Sequence, residues 1–505
     1  MSQKKKGIIL SYINLLMSMV VNIYLTPMLI MNFGDTDYSL YKVIYSFAGP
    51  LAMFHLGIST IVTRSIVRNK ECGNGEIVKK QNTMAMSFFA SVLMALVVVI
   101  AGVIMYMAIP DMYGNTYSDE AVILGQKIFV IFVASSVLHM LTDAFSGCVI
   151  GHERYVVSGM IPLAKTTSKL ILQVVLLKCG FGVIFVALVD LIIALGIFFY
   201  TVFYAVFVLQ EIPKFHYFDK KQLIEIVSFG LAILLQAFVN QVNNNMDIMI
   251  LGAFITEKSV ITMYSSALAI YTIYTSLVSV ITNYFLPQAT KLVICHASGR
   301  ELTDFVIKPG RFQAIIAVMC VGGFVLFGYN FISIWIGSRY SGAYWIILVL
   351  MLPVTISLVE NAAIAILDAA MKRIYRSIVL VVMALLNLVL SIVLVQKIGF
   401  WGATIGTVGS LFLGNCVLMN LYYAKVFHIE IFRMFRQIFK GILPAGGISA
   451  TLCLPLALFL PNTALWFIIK CCCFVVVYAL CLLTFGLNSD EKLMIRSMIR
   501  NFRHK

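Results

Sequence analysis

Two lysines stand four residues apart inside a long apolar stretch of the sequence. Lys165 and Lys169 lie in the stretch 155–177, which has no other charged residue. Four residues are about one helical turn, so in a helix both ammonium groups lie on one face. A charged side chain at membrane depth is costly and usually faces a cavity or a partner. Two interpretations stay open: a cationic patch that binds an anionic head group, or lysines neutralised by Asp190 or Glu360.

A second polar set consists of amide side chains in the stretch 223–251. Those that share one helical face by i, i+3 or i+4 spacing are Gln236, Asn240, Asn243 and Asn244. A helical face with this many amides is not expected to contact lipid. The stripe therefore predicts either a hydrated cavity wall that hydrogen-bonds sugar hydroxyls or a set of interhelical hydrogen bonds. Asp247 follows the stripe and is a candidate for carrying a coupling cation or for a structural ion pair. Asp190 and Glu360 are the other ion-coupling candidates.

Two arginines and one histidine complete the candidate residues. Arg64 ends the second apolar stretch and Arg311 begins the ninth, so both are candidates for binding the substrate, with a snorkelling anchor as the alternative for Arg64. His139 is interpreted as a hydrogen-bonded packing residue rather than a titrating one. The 11 cysteines show no CxxC or CxxH spacing, so the sequence predicts no metal site and no cofactor.

The composition places these residues in a membrane protein. The chain has 505 residues, of which 61% are hydrophobic and 12% charged, and its mean hydropathy is +0.97. Soluble domains have about 45–50% apolar and about 25% charged residues, so these few charges cannot form a soluble surface. Long continuous apolar runs predict spanning helices rather than the alternating strands of a barrel. The net charge of +15 follows from basic loops on one side of the membrane and does not indicate a nucleic-acid partner.

The sequence predicts about fourteen transmembrane helices, on the rule that a span needs about 20 mostly apolar residues. They lie at approximately 7–31, 39–63, 82–109, 121–143, 155–177, 182–209, 223–251, 259–286, 309–336, 342–370, 377–396, 400–424, 441–460 and 463–486. Lysines and arginines concentrate in alternate loops, which places those loops and both termini in the cytoplasm. The opposite side carries Lys42, Lys127, Lys178, Lys258, Arg339 and Lys397.

A weak internal repeat divides this all-α chain. Lys178-Cys-Gly-Phe opens the sixth span and Lys397-Ile-Gly-Phe the twelfth, 219 residues later, and Arg154 and Arg373 are separated by the same offset. Such a parallel repeat is typical of transporters whose substrate site lies between the halves. The predicted division is a six-helix half at 1–209, a second six-helix half at 223–424, two additional helices at 441–486 and a basic cytoplasmic tail at 487–505.

An enzyme is the alternative from another class. Asp35 and Asp37 lie in the first external loop, where membrane glycosyltransferases that use lipid-linked sugars place paired acids. Those enzymes build an elaborated external loop at this point, whereas this chain has only a short turn. Lipid-linked polymerases and ligases also need a large external loop bearing arginine or histidine, which the sequence lacks. The prediction is therefore that the protein is not an enzyme.

Several segments resemble the oligosaccharide flippase (Wzx-type) branch of the MOP superfamily. They are Gly34–Tyr41 with Gly57 and Arg64, Ser228–Gly230 with Asp247–Gly252, Tyr264 and Pro287, Gly147–Tyr155 with Arg154, and Gly399–Ala403. The sequence departs from the family pattern at Ser39, where glycine is usual, and at His55, where an acid is usual. The resemblance covers nearly the whole chain and agrees with the count of six, six and two helices.

The resemblance implies a flippase that moves an undecaprenyl-diphosphate-linked oligosaccharide from the cytoplasmic to the external leaflet by ion-coupled alternating access. This step serves the synthesis of O-antigen, capsule or another exopolysaccharide. The implied partners are the lipid-linked oligosaccharide, membrane lipids, a proton or sodium gradient and the polysaccharide polymerase machinery, all at the inner membrane. The lipid tail is expected in a groove formed by spans 13 and 14.

Two other transport functions stay open. A multidrug/cation antiporter of the same superfamily would want acids facing the lumen, whereas the charges at mid-depth here are mainly lysines. A flippase for the peptidoglycan precursor lipid is the other alternative.

Overall fold

The computed structural model is built from α-helices. It describes residues 3–52, 58–60, 62–63, 66, 77–218, 220, 224, 241, 245–279, 286–370, 372–488 and 491–492. The first eight helices are α1 (Gln3–Ala52), α2 (Ile77–Tyr113), α3 (Asp119–Gly151), α4 (Tyr155–Lys178), α5 (Val183–Phe203), α6 (Asn245–Phe254), α7 (Lys258–Ser279) and α8 (Leu286–Ile294). The next eight are α9 (Gly299–Trp335), α10 (Ala343–Val359), α11 (Asn361–Ala369), α12 (Arg373–Ile398), α13 (Phe400–Leu411), α14 (Ile431–Phe439), α15 (Ile442–Phe459) and α16 (Ala464–Cys481).

The helices confirm an all-α protein that crosses the membrane many times. Among the described residues, 11 helices are long and apolar enough to span a bilayer, and the bent pair α10 and α11 makes up to 12. α1 contains the first predicted span and the beginning of the second. Most of the seventh predicted span, 223–251, lies outside the described residues. These two differences explain why up to 12 spans are counted among the described residues, whereas the sequence predicts about fourteen.

A break at Gly34 separates the two parts of α1. Gly34 has φ 65° and ψ −173°, a backbone conformation that is essentially restricted to glycine. The helix resumes at once, so the first two predicted spans are joined without an extended loop. Just after the break, the Ser39 hydroxyl donates a hydrogen bond to the Thr36 carbonyl over 2.9 Å.

The chain divides into two compact units, Met1–Thr262 and Met263–Lys505. In the first unit α1 packs along α4 and against α3, and α3 also packs against α2 and α5. α6 is fixed to the end of α2, because the Tyr113 hydroxyl donates to the Met249 carbonyl over 3.3 Å. The Thr116 hydroxyl adds a second hydrogen bond, to the Gly252 carbonyl, over 2.8 Å.

In the second unit α9 is the central helix. It packs against α10, α14, α15 and α16, while α12 packs along α13. The two last spans, α15 and α16, pack on each other within this same unit. The predicted six-helix halves, 1–209 and 223–424, stay a prediction, and most of the tail at 487–505 lies outside the described residues.

Candidate functional site: a lysine cluster in the first unit

The second of the two lysines forms an ion pair between neighbouring helices. Lys169 lies on α4 and Asp190 on α5, and the Lys169 Nζ atom is 2.8 Å from Asp190 Oδ1 and 3.0 Å from Oδ2. Their side chains are 27% and 16% exposed, so water reaches neither group freely. Asp190 is one of the two acids that the sequence offered as partners. The other, Glu360, belongs to the second unit.

Lys165 has a different partner. Its Nζ atom lies 3.2 Å from Nε2 of His139 on α3. An ammonium group carries only hydrogen-bond donors, so the imidazole nitrogen must accept, and we assign His139 as a neutral ring with its proton on Nδ1. The sequence interpretation of His139 as a hydrogen-bonded packing residue did not name its partner, since nothing in the spacing of residues 139 and 165 signals this contact.

These four residues, Lys165, Lys169, Asp190 and His139, form what we call the lysine cluster. Asp190 is the carboxylate that interacts electrostatically with both ammonium groups. With both lysines protonated and the imidazole neutral, these four residues have one positive charge more than they have negative charges. Since Lys165 and Lys169 lie near the middle of the 24-residue helix α4, this excess charge lies where hydrocarbon would surround the protein.

α1 adds uncharged polar groups beside the lysine cluster. The Thr166 hydroxyl donates to Asn14 Oδ1 over 3.0 Å and lies 3.5 Å from the Ser18 hydroxyl. The rings of Tyr41 and Tyr45, on the second part of α1, interact electrostatically with Lys169. The site thus combines an excess cation with hydroxyl and amide groups, which are the groups that bind a phosphate and its attached sugars.

Arg311 lies in the second unit and is saturated by protein groups. It is 2% exposed, and its Nε and Nη2 atoms donate to the two carboxylate oxygens of Glu491 over 2.7 and 3.0 Å. Further bonds run to the carbonyls of Gln437 over 2.7 Å, Lys440 over 3.0 Å and Gly486 over 2.8 Å. The role of Arg311 in binding a diphosphate stays a prediction. The contacts show another role, which is to join α9 to α14 and to the segment that follows α16.

The two other ion-coupling candidates are both buried. Glu360 is 3% exposed and sits at the 45° bend between α10 and α11, beside Asn420 and near Arg376. Asp247 is 2% exposed and lies in the first turn of α6. Their roles in ion coupling stay predictions.

The remaining candidates fall outside the described residues. They are Arg64, Gln236, Asn240, Asn243 and Asn244. Two neighbours of this amide stripe are described: the Asn245 amide donates to the Gln241 side-chain oxygen, and both side chains lie against Gly49 of α1. This bond joins two residues four apart in sequence, so both interpretations of the stripe stay predictions.

A protein-family model matches the first part of the chain. Residues 5–294 match the model described as polysaccharide biosynthesis protein. The matched stretch contains the whole lysine cluster. No curated protein sequence matches the chain.

Solved transporter structures share the fold. A lipid II flippase MurJ in an inward closed conformation has a TM-score of 0.73 at 15% identity, over 97% of this chain and 100% of the other. An inward-facing multidrug resistance MATE family transporter of the MOP superfamily has a TM-score of 0.66 at 13% identity, over 84% and 95%. A MOP superfamily transporter from Pyrococcus furiosus has a TM-score of 0.51 at 14% identity, over 86% and 97%.

The family match covers more than half of the chain, and the similarity of fold extends over nearly all of it. Together they confirm the resemblance that the sequence motifs indicated. The protein belongs to the polysaccharide biosynthesis protein family and has the fold of MOP superfamily transporters.

Proposed function

We propose that the protein is a flippase that carries an undecaprenyl-diphosphate-linked oligosaccharide from the cytoplasmic to the external leaflet. The observation that carries the proposal is the pair of lysines near the middle of α4, which are accompanied in the lysine cluster by a single carboxylate. A diphosphate is anionic, and lysine binds phosphate as a point charge. Lys165 is held by a neutral imidazole rather than a carboxylate, so it can exchange that bond for a stronger, charge-assisted bond to a phosphate oxygen.

The resemblance implies an apolar groove for the lipid tail, and the second unit by itself contains an apolar cavity. An apolar cavity of about 710 Å³ lies among α9, α10, α13 and α15. Its wall includes Val318, Leu352 and Leu443, and Gly446 and Gly447 widen it on the α15 side. The sequence expectation was a groove of spans 13 and 14. In the structure span 13, which is α15, contributes to this cavity together with three helices of the preceding bundle.

The sign of the charge distinguishes the competing transport functions. A cation or multidrug antiporter needs acids that face its cavity, whereas the acid of the lysine cluster is paired with Lys169 and outnumbered by lysines. A peptidoglycan precursor is also a diphosphate lipid, so the lysine cluster fits it equally well. The family match to polysaccharide biosynthesis proteins favours the oligosaccharide carrier.

The proposal extends to the setting of transport. The protein acts in the inner membrane with both termini in the cytoplasm, and it hands its substrate to the polymerase machinery on the external side. A proton or sodium gradient drives alternating access, with Asp247 and Glu360 as the buried acids that carry the coupling ion. Asp190 is the weaker candidate because Lys169 already neutralises it.

The test replaces Lys165 alone, because Asp190 keeps its ion pair with Lys169 when Lys165 is removed. Lys165→Met should lower export of surface glycan about 10- to 150-fold. This range corresponds to the free energy of one hydrogen bond to a charged group, about 1.5–3 kcal/mol. The amount of protein in the membrane should stay normal, and lipid-linked oligosaccharide should accumulate inside the cell. Lys165→Arg should keep part of the export. The control is Lys178→Ala, an exposed lysine at the end of the same helix.

Surface glycan is measured with a lectin or an antiserum, and membrane protein by immunoblot. Normal export by Lys165→Met would remove the observation on which the proposal rests. A loss of export by Lys178→Ala of the same size would show a general effect of charge, not binding at the lysine cluster.

A further inference from the structure

A second, smaller cavity lies between α1 and α4 in the first unit. Its volume is about 280 Å³, and its wall includes Gly7, Ser11, Asn14, Ser158 and Pro162. A water molecule has about 30 Å³ in the liquid, so this polar cavity has room for about nine water molecules. Pockets for drug-sized ligands start at about 300 Å³, so the polar cavity fits one ring rather than a whole oligosaccharide.

The polar cavity is lined by groups that can bind hydroxyls and by no charged side chain. The Ser11 hydroxyl donates to the Gly7 carbonyl over 3.1 Å, which leaves its oxygen able to accept. Asn14 uses its oxygen to accept from Thr166, and its amide nitrogen has no partner within the described part of the chain. The Ser158 hydroxyl likewise has no hydrogen bond to any described residue. A neutral ligand rich in hydroxyls complements this set of donors and acceptors.

Close contact of the two helices gives the polar cavity a fixed shape. A Cβ atom at Gly7 would lie 2.7 Å from Cβ of Tyr155, and one at Gly159 would lie 3.0 Å from Cβ of Leu10. Only glycine permits the first of these approaches. The space is therefore a property of the α1–α4 packing and not of one mobile side chain.

The polar cavity is next to the lysine cluster. Pro162 precedes Lys165 by three residues, a rise of about 4.5 Å along the helix. Asn14 belongs to the wall of the polar cavity and also accepts the hydrogen bond of Thr166, the neighbour of Lys165 in sequence. A diphosphate at Lys165 would thus place its first attached group within about one helical turn of the polar cavity.

We infer that the polar cavity is a subsite for one sugar ring of the lipid-linked substrate, beside the diphosphate that Lys165 binds. The inference rests on the proposed function and adds to it a subsite that recognises the sugar part of the substrate. Ser11, Asn14 and Ser158 are its specificity-determining residues. The protein then distinguishes a glycan-bearing lipid from the bare carrier lipid by groups separate from those that bind the diphosphate.

The experiment compares two probes on purified protein in lipid nanodiscs. One probe is undecaprenyl diphosphate without sugar, and the other is the lipid-linked oligosaccharide pool extracted from a strain that lacks this gene. Wild-type protein should bind the second probe more tightly than the first. Ser158→Leu, which fills the polar cavity, should abolish that preference, and Ser158→Ala should reduce it about fivefold, as expected for one hydrogen bond. Met160→Leu, on the exposed face of α4, is the matched control and should keep the preference.

The outcomes separate the inference from the proposed function. Equal affinity of the wild type for both probes, or an unchanged preference in Ser158→Leu, overturns the sugar subsite and leaves a water-filled cleft. Lys165→Met should weaken binding of both probes alike. If neither probe binds the wild type, the proposed function itself fails. Should Ser158→Leu not fold, as judged from its melting temperature, Ser158→Ala decides the inference.

Discussion

Lys165 and Lys169 share one face of α4 but are neutralised in different ways. Lys169 is bound to a carboxylate, whereas Lys165 is bound to an imidazole. Removing one partner of a buried ion pair leaves an unpaired charge, which costs far more than the pair contributes. The loss of Lys169 should therefore affect folding, whereas the loss of Lys165 should affect only binding.

The ion pair gives a prediction about stability. Lys169→Ala strands the Asp190 carboxylate and should lower the free energy of unfolding by about 3–5 kcal/mol, with less protein in the membrane. Adding Asp190→Asn should restore most of the loss, because the stranded charge is then gone. Thermal unfolding in detergent and immunoblots of membranes measure both effects. A fully stable Lys169→Ala protein would contradict the ion pair.

Part of the site was predictable from the sequence, because the geometry of one helix is fixed. The i, i+4 spacing placed Lys165 and Lys169 on one face without reference to any other helix. Their partners depend on how α3, α4 and α5 pack, and a single sequence carries little information about packing. The sequence left both Asp190 and Glu360 open as partners of the lysines, and it did not predict that His139 contacts Lys165. The partners of Arg311 are mostly backbone carbonyls, which every residue has, so no residue type signals them.

At the scale of the elements, Arg311 holds α9 against α14 and against the segment that follows α16. Its five donors reach a carboxylate and several carbonyls, in the planar arrangement that arginine alone provides. Arg311→Met should lower the free energy of unfolding by about 3–5 kcal/mol, because Glu491 loses its partner. Glu491→Gln keeps the carbonyl contacts of Arg311 and should cost less, about 1–3 kcal/mol.

The melting temperature of each purified variant measures this difference. Lost export by Arg311→Met with a wild-type melting temperature would instead support the sequence prediction that Arg311 binds the substrate.

The break in α1 can also be tested. Gly34→Ala places a side chain in a conformation reserved for glycine and should cost about 1–3 kcal/mol. No atom lies within 4 Å of the added Cβ, so the cost comes from the backbone alone. Gly196→Ala in α5 is the control, since it also meets no atom within 4 Å but has ordinary helical geometry, and it should be neutral or stabilising. Equal melting temperatures of the two variants would show that α1 does not need the break.

At the scale of the whole molecule, the loop charges predict which side of the membrane each connection faces. In a background without native cysteines, a cysteine at position 119 should react with an impermeant thiol reagent added outside the cell. Cysteines at positions 220 and 373 should react only after the membrane is opened. External labelling at position 220 would overturn the predicted topology, including the cytoplasmic location of both termini.

The number of spans was predictable because hydrophobicity and length are local properties of the chain. The halves at 1–209 and 223–424, which the repeat predicts, stay a prediction. The compact units are defined by packing instead, and the first of them extends through α6 to Thr262. α6 is held there by Tyr113 and Thr116, which donate to its backbone carbonyls. Such contacts between distant segments leave no periodic pattern in the sequence.

The contact between Arg311 and Glu491 also has a consequence for biosynthesis. The two residues are 180 positions apart, and Glu491 lies near the end of the chain. At about 5–20 residues per second, a ribosome needs about 9 to 36 s to synthesise the intervening segment. During that time the arginine is already at the membrane without its carboxylate. The contacts of Arg311 therefore cannot be completed before residue 491 is made, and a chain truncated before residue 491 should be recognised and degraded as unfinished.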